Sequence, residues 1–237
     1  GDRLGFPVFP MQWTDPLTGE QSSGYREAGY FPEAFINLLA LLGWNPGTEQ
    51  ELFSMQELSE AFSLERVGKS GSKFDPEKAK WFNHQYIQQK PLLEIAAAFR
   101  HEAGRKGFEI SLTQAEHIVE LIRERVHFTH ELWEQASFFL EAPTQYEESF
   151  RQKKWKADSG RFLEKLADAL EHTAPFTEEP IGSCIHSFME SEQLGAGKLM
   201  PVVRLALVGK GSGPDVKSIM RVLGKAESID RLRKAAQ

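Results

Sequence analysis

The sequence predicts an all-α protein built from several small helical modules in tandem. Two observations favour this class. Beyond the first 30 residues, almost no segment shows the alternation of apolar and polar side chains that a half-buried strand requires. The apolar segments are instead bounded by signals typical of helix ends, with Ser, Thr or Asp before them and Gly or Pro after them.

The first strong element is a helix predicted for Phe31 to Gly43, FPEAFINLLALLG. Pro32 suits the first turn of a helix, where its missing N–H would have no partner. Gly43 is predicted to end the helix in the left-handed conformation. The Phe, Ile and Leu side chains cover more than one face, so this helix is expected in the core and not at a ligand site.

The later helices are predicted from their start signals. Capping boxes pair a hydroxyl with a carboxylate three residues on, and they are predicted at Thr48 with Glu51, Ser54 with Glu57 and Thr113 with Glu116. The other predicted starts are, in chain order, Asp75-Pro76, Leu92, Thr129, Ser159, Thr177 and Lys198. Two short helices, split at Gly224, are expected to end the chain, whereas the first 29 residues are rich in turn formers and are predicted to be irregular.

The composition is that of an ordinary globular protein, with 41% hydrophobic and 26% charged residues. The single cysteine, Cys184, excludes an intramolecular disulfide and a thiolate metal site, and it fits a reducing cytoplasm. The longest apolar stretches are far shorter than the roughly 20 residues that span a bilayer. We therefore expect a cytoplasmic protein with no membrane partner. The absence of an initiator methionine suggests a piece of a longer chain.

Charge is unevenly distributed along the chain. Residues 194–237 carry nine Lys and Arg against three Asp and Glu, whereas the whole chain has a net charge of −6. A basic segment on an acidic body suggests a polyanionic partner. On charge alone, a solvated helical surface explains the same pattern equally well.

Several kinds of catalytic or metal site are disfavoured by spacing. The run Gly209 to Gly213 is glycine-rich but lacks the register of a phosphate-binding loop, so its glycines are interpreted as flexible backbone beside a ligand such as RNA. His127 and His130 are not joined by a third ligand at a metal-binding spacing. Adjacent acidic pairs point to different helix faces. The sequence therefore predicts no catalytic residues, no metal and no cofactor in this chain.

Three arginines stand out as candidate binding residues. Arg123 and Arg125 lie at the end of a predicted helix, where cations also suit the negative end of the helix dipole. Arg204 lies in the apolar run VVRLALV, so it is expected to be paired, to extend its head group to solvent or to face a ligand. A guanidinium fork can read a carboxylate, a phosphate or a base edge.

Four stretches carry a family resemblance. YREAGYFPEAFINLLALLGW at 25–44 and the segment at 52–87 resemble the stem-contact region of bacterial glutamyl-tRNA synthetases. RERVHFTHELWEQASFFL at 123–140 is similar to the first anticodon module of that family, and 197–235 is similar to its C-terminal module. Residues 7–24 are the least typical and look like an insertion.

The resemblance implies the organisation of the protein. A stem-contact helical domain with an irregular N-terminal segment would occupy 1–90, followed by anticodon-binding helical domains at 91–143 and 144–237. The HIGH and KLSKR motifs of the catalytic Rossmann domain are not found, so the chain is expected to bind tRNA without catalysis. The full-length enzyme would be a class I synthetase that ligates glutamate to tRNA-Glu with ATP and Mg²⁺. A monomer that binds no DNA is expected.

The resemblance also assigns site residues. Arg125 matches an arginine that contacts the wobble base and rejects tRNA-Gln, and Arg204 matches an arginine that binds the anticodon. The anticodon-contacting loop falls on Gly213, Pro214, Val216 and Lys217. Basic side chains at four further positions are predicted to contact the tRNA backbone. These positions are Lys198, Lys210, Arg221 and Arg123.

Two other classes of protein remain open at this point. The chain could be a stand-alone α-helical protein-interaction module whose basic C-terminal surface docks an acidic partner, or an enzyme on its own. Strongly salt-dependent tRNA binding would separate the first alternative from the synthetase interpretation. Glutamate-dependent ATP–pyrophosphate exchange by this chain alone would support the second.

Overall fold

A computed structural model describes residues 7–69, 71 and 73–237. The described chain consists mainly of α-helices joined by short connections. In chain order the helices are α1 Pro32–Gly43, α2 Met55–Ala61, α3 Pro76–Gln89, α4 Leu92–Arg105, α5 Leu112–Ile122, α6 Glu131–Ala136, α7 Glu148–Lys154, α8 Ser159–Glu171, α9 Glu178–Ser191, α10 Ala196–Val208, α11 Val216–Leu223 and α12 Lys225–Ala236. The sheet found among these residues is a two-stranded antiparallel ribbon, β1 Trp13–Thr14 with β2 Gln21–Ser22. The all-α prediction is confirmed.

Several predicted helix starts agree with the structure. Pro32 opens α1, and Asp75 precedes α3 with its carboxylate accepting from the N–H groups of Glu77 and Lys78. Ser54 and Glu57 form a reciprocal capping box at α2. At α2 and α3 a polar side chain accepts from N–H groups that have no partner inside the helix, and at α1 the proline has no such N–H group.

Some details of the other predicted helix ends are wrong. The helix α1 ends at Gly43 as predicted, but Gly43 is not left-handed; its carbonyl accepts from the N–H of Gly68 at 2.7 Å, and the chain continues extended at Trp44. Thr48 starts no helix. The hydroxyl of Ser159 accepts backward from the Lys156 N–H at 2.8 Å, so Asp158 and not Ser159 flanks α8.

The capping box of α5 lies two residues earlier than predicted. Ser111 accepts from the N–H of Gln114 at 3.1 Å, and the Gln114 amide oxygen accepts from the N–H of Ser111 at 2.9 Å. Thr113 lies inside the helix and is exposed. A glutamine fills the role that the sequence pattern assigned to a glutamate, so two overlapping boxes competed for one helix start.

The described chain divides into two compact units. The first unit holds the residues up to Ile95 together with Arg123–Leu132, and the second unit holds Ala96–Ile122 with Trp133–Gln237. The three domains at 1–90, 91–143 and 144–237 are not tested by this division into two units, and they stay a prediction. No described helix is long and apolar enough to cross a membrane.

The core of the first unit joins α1 to α3. Leu38 of α1 packs with Phe82 and Tyr86 of α3, and Phe82 is completely buried. The Tyr86 hydroxyl donates to the carbonyl of Phe53 at 2.6 Å. Asn37 is buried beside it and accepts from the Phe53 N–H at 2.8 Å. These bonds fix the segment before α2 against the two long helices.

The second unit is built around α8, α10 and α12, which contribute completely buried leucines such as Leu163, Leu205 and Leu232. Arg231 of α12 is also buried, with 3% of its surface exposed. Its Nη1 donates to the carbonyls of Phe138 at 2.6 Å and Leu207 at 2.8 Å, and its Nε donates to Glu227 at 2.7 Å. Burial of this cation is tolerated because its charge is paired and its N–H groups are satisfied.

Candidate nucleic-acid interface

Within the first unit, the segment that carries Arg125 is held by polar side chains of α3. Asn83 donates to the carbonyl of His127 at 2.5 Å, and His84 Nδ1 donates to the carbonyl of Val126 at 2.8 Å. Gln88 donates to the carbonyl of Arg123 at 2.7 Å. One carbonyl of the 3₁₀ turn Arg123–Arg125 and those of the two residues after it are therefore tied to α3.

The two arginines of this turn have different surroundings. The half-buried Arg123 donates from Nη2 to the carbonyl of Gln88 at 2.8 Å, which returns the bond that Gln88 makes to Arg123. Arg125 is exposed and makes no hydrogen bond or ion pair within the described part of the chain. The geometry thus gives Arg123 a structural partner and leaves the guanidinium of Arg125 available to a ligand.

The residues around the histidines of the same segment are held by local contacts. Glu131 accepts from the N–H groups of His127 at 2.7 Å and Phe128 at 3.3 Å, which fixes the turn before α6. His130 stacks on the ring of Phe128 with the ring centroids 5.3 Å apart. Across residues 7–69, 71 and 73–237, no three His, Cys, Asp or Glu side chains are placed to hold a metal ion.

In the second unit, Arg204 holds the end of the glycine-rich loop. It projects from α10, and its Nη1 donates to the carbonyl of Pro214, which is buried. A Cβ at Gly213 would lie 3.2 Å from Nη1 of Arg204, so the guanidinium passes directly over this glycine. The structure therefore brings together three of the predicted anticodon-binding residues, Arg204, Gly213 and Pro214.

The next residues begin α11. Asp215 accepts from the N–H of Lys217 at 3.0 Å and caps the helix. Val216 is fully buried, so any contact to a ligand at this position would be made by its backbone. The half-buried Lys217 packs its stem on α9, where a Cβ at Gly182 would lie 3.0 Å from Lys217 Cδ. Its ammonium lies 4.0 Å from the Asp215 carboxylate.

The glycines at 209 and 211 are required by packing, and the interpretation of slack backbone is wrong for them. Gly209 ends α10 with φ +80°, and a Cβ there would lie 2.8 Å from Pro143 Cβ. A Cβ at Gly211 would lie 2.3 Å from the ring of Phe150. Both distances are too short for a side chain, so the loop is glycine-rich because the segment 143–150 packs closely against it.

Most cations of residues 194–237 are already paired. Lys198 lies 2.7 Å from Asp158, and its hydrogen bond holds the pKa of that carboxyl below its usual value. Arg221 lies 3.1 Å from Glu178. Ion pairs of 4.0 Å or less also involve Lys217, Arg231, Arg233 and Lys234.

Two of the three remaining cations donate to carbonyls, Arg204 to Pro214 and Lys225 to Glu171. Lys210 is exposed and has no partner among the described residues. The basic excess of this segment is therefore balanced mainly by acidic side chains of α8, α9 and the segment itself. The net charge of residues 194–237 is therefore weaker evidence for a polyanionic partner than the count of basic residues suggested.

Two features of the site had little signal in the sequence. The carbonyl-binding face of α3 is formed by Asn83, His84 and Gln88, and only the unusually polar run NHQYIQQ in a half-buried helix pointed to it. The helix α7 follows Pro143 without a capping side chain, since Glu147 makes no side-chain cap. The feature of the sequence that distinguishes α7 is the run of basic residues at 151–156.

Comparison with known proteins agrees with this picture. Residues 78–236 match the family described as "Anticodon binding domain", and residues 17–81 match the one described as "tRNA synthetases class I (E and Q), catalytic domain". A glutamate–tRNA ligase of Porphyromonas gingivalis strain W83 is 47% identical over all of this chain and 47% of its own length. One from Phocaeicola vulgatus is 48% identical, with 100% and 47% covered.

Solved structures show the same fold. A crystal structure of a glutamate tRNA ligase from Elizabethkingia meningosepticum, in complex with its amino acid, has a TM-score of 0.94 and is 41% identical, covering 100% of this chain and 47% of the other. The synthetase from Elizabethkingia anophelis has a TM-score of 0.89 at 40% identity, with 100% and 46% covered. The chain thus spans about half the length of the relatives that it matches. The chain belongs to the anticodon-binding domain family, whose model it matches over residues 78–236, and it is similar along its whole length to part of the glutamate–tRNA ligases.

Proposed function

We propose that this chain recognises tRNA-Glu through its anticodon, as part of an enzyme that ligates glutamate to tRNA-Glu with ATP and Mg²⁺. The observation that supports it best is the exposed guanidinium of Arg125, which has no partner in the described structure and projects from a turn that α3 holds rigid. Residues 78–236, which match the anticodon-binding family, include this turn. The protein would act as a cytoplasmic monomer.

The division of labour follows the predicted domains. Residues 1–90 would contact the tRNA stem, and residues 91–143 and 144–237 would contact the anticodon loop. RNA is read in sequence where its bases are unstacked, as they are in such a loop. Arg125 would read a base edge with its planar fork. Lys210, the exposed and unpaired lysine of the glycine loop, would contact a phosphate.

Arg204 has a different role in this scheme. Because its Nη1 is bonded to the Pro214 carbonyl, it would order the turn at Gly213 and Pro214 that contacts the RNA. The paired cations Lys198 and Arg221 would contribute less, since each would have to leave its carboxylate to bind a phosphate.

A titration of the 237-residue chain with tRNA tests the proposal. Filter binding should show tighter binding of tRNA-Glu than of an unrelated tRNA, and the affinity should fall steeply as salt is added. Binding that is absent, or that does not change with salt, contradicts it. Binding of an acidic protein in place of tRNA would favour the protein-interaction alternative.

The specificity assigned to Arg125 is tested by its replacement with glutamine. A good bidentate base contact is worth about 1–3 kcal/mol, so Arg125→Gln should reduce the preference for tRNA-Glu over tRNA-Gln by roughly 5- to 150-fold. Arg105→Gln is the matched control, because Arg105 is also exposed but is already paired with Glu102. An unchanged preference in Arg125→Gln would remove Arg125 from the site.

A further inference from the structure

The cations that lack partners in the second unit are concentrated on and just after α7. The run Arg151-Gln-Lys-Lys-Trp-Lys156 contains four basic residues and no acidic one. All four basic side chains are exposed, and none forms an ion pair within the described chain. This contrasts with residues 194–237, where acidic neighbours balance most of the cations.

The start of α7 is fastened to the glycine loop. The N–H of Glu147 donates to the carbonyl of Gly209 at 2.8 Å, and the Glu147 carboxylate accepts from the N–H of Gly211 at 3.0 Å. Phe150 packs against Gly211 at a distance that no side chain would permit. Lys210 lies between the two glycines that are bonded to Glu147, so it belongs to the same surface as α7.

The guanidinium of Arg151, the basic residue that follows Glu147 and Phe150 in the sequence, is also held in place. The guanidinium of Arg151 lies 5.9 Å from the ring centroid of Tyr146 and 5.5 Å from that of Trp155. Aromatic faces attract a cation without neutralising its charge. Arg151 is therefore held between two rings while its full charge remains available to an anion.

We propose that Arg151, Lys153, Lys154 and Lys156, together with Lys210, form a surface that binds the ribose–phosphate backbone of the tRNA. This inference rests on the proposed function and extends it to residues that neither the resemblance nor the charge of the C-terminal segment indicated. Lysine ammonium groups on flexible stems suit phosphates as point charges, whereas they lack the fork that reads a base or a carboxylate. The surface should position the RNA and add affinity independently of its sequence.

The double variant Lys153→Gln/Lys154→Gln tests this surface in the 237-residue chain. The slope of log affinity against log salt concentration should fall by about 0.7–0.9 for each lysine that contacts a phosphate. At about 0.1 M salt the affinity should fall roughly 5- to 30-fold, to the same extent for tRNA-Glu and an unrelated tRNA. Lys153→Arg/Lys154→Arg should restore both the slope and the affinity, because it restores the charge.

Lys165→Gln/Lys234→Gln is the matched control, since it removes the same charge from two exposed lysines that are paired with Glu192 and Asp230. It should leave the slope unchanged. If the unaltered chain binds tRNA and the Lys153/Lys154 variant binds with the same slope, this inference is wrong and the proposed function stands. If the unaltered chain binds no tRNA, the proposed function itself fails.

Two other results would also contradict the inference. Lysines near the C-terminal end of a helix stabilise its dipole. If that were their only role, the variant would lose thermal stability while its RNA binding stayed unchanged. Preferential binding of an acidic polypeptide such as polyglutamate, lost in the variant, would assign the surface to a protein partner instead.

Discussion

The side chain of Phe150 occupies the space in which any residue larger than glycine at position 211 would place its Cβ, 2.3 Å from the ring. Close packing leaves no room for such an addition without a shift of the backbone or of the ring. Glycine, whose side chain is a hydrogen atom, leaves room for the Phe150 ring, and this allows α7 to pack against the loop.

We expect Gly211→Ala to lower the free energy of unfolding by about 1–3 kcal/mol, the usual cost of overpacking a well-packed contact. Urea denaturation followed by circular dichroism measures it. Gly197→Ala is the control, because nothing lies within 4 Å of its added Cβ and alanine favours the helix α10. Equal stability of the two variants would show that the Phe150 contact is not tight in solution.

Arg231 illustrates the opposite case, a large polar side chain that the core requires. Its guanidinium satisfies the buried carbonyls of Phe138 and Leu207. Arg231→Met would leave both acceptors unpaired, so we expect a loss of about 2–5 kcal/mol in the free energy of unfolding. Lys234→Met on the same helix breaks only an exposed pair with Asp230 and should cost at most about 1 kcal/mol. A loss below about 1 kcal/mol for Arg231→Met would contradict this reasoning.

At the scale of the element, helix starts were predictable where one residue alone could act as the cap. Asp75 before Pro76 had no competitor, and neither did Ser54 three residues before Glu57. At α5 two hydroxyl residues competed, and the earlier one is the cap. Sequence patterns identify the helix but do not decide between overlapping caps, because the choice depends on where the helix meets its core.

The choice of cap can be measured. Ser111→Ala should lower the free energy of unfolding by about 1 kcal/mol, because the N–H of Gln114 loses its side-chain acceptor. Thr113→Ala, two residues on, should have little effect or stabilise α5 slightly, since alanine is the better helix former. If Thr113→Ala cost more than Ser111→Ala in urea titrations, the cap would be the one that the sequence pattern favoured.

The helix α7 was not predictable by the same signals. It has seven residues, no side-chain cap and few apolar side chains, and its support is a loop elsewhere in the chain. Non-local contacts of this kind leave no local pattern. The polar face of α3 escaped prediction for the same reason, since Asn83, His84 and Gln88 bond to carbonyls about 40 residues away.

At the scale of the whole molecule, the fold class and most helices could be predicted, because periodicity and helix boundaries are local properties. The candidate site was predictable only through the family resemblance. Charge alone pointed to residues 194–237, whose cations are largely paired in the structure. A sequence records how many charges a segment holds, whereas the fold determines which of them stay unbalanced.

Alkaline pH provides a further test at this scale, because burial raises the pKa of all four tyrosines and brings those of Tyr30 and Tyr86 to about 12. Below pH 10 both folded and unfolded chains keep the phenolic protons. Between about pH 10 and 12 the unfolded chain loses them first, so the free energy of unfolding should fall as the pH rises.

Tyr86→Phe isolates one of these groups. At about pH 8 the variant should be less stable than the parent, because the bond to the Phe53 carbonyl is lost. Above about pH 10 the difference between the two proteins should shrink, because phenylalanine has no proton to lose. Urea titrations at several pH values would contradict this if the difference stayed constant.

The attachment of α7 also has a consequence for the order in which the chain folds during synthesis. A helix of seven residues is too short to be stable by itself. The carboxylate of Glu147, just before α7, accepts from the N–H of Gly211, which lies 64 residues further along the chain. On a ribosome, the α7 surface therefore cannot form until the end of α10 and the loop after it have emerged. A nascent chain truncated before Gly209 would expose the same four cations on a disordered segment.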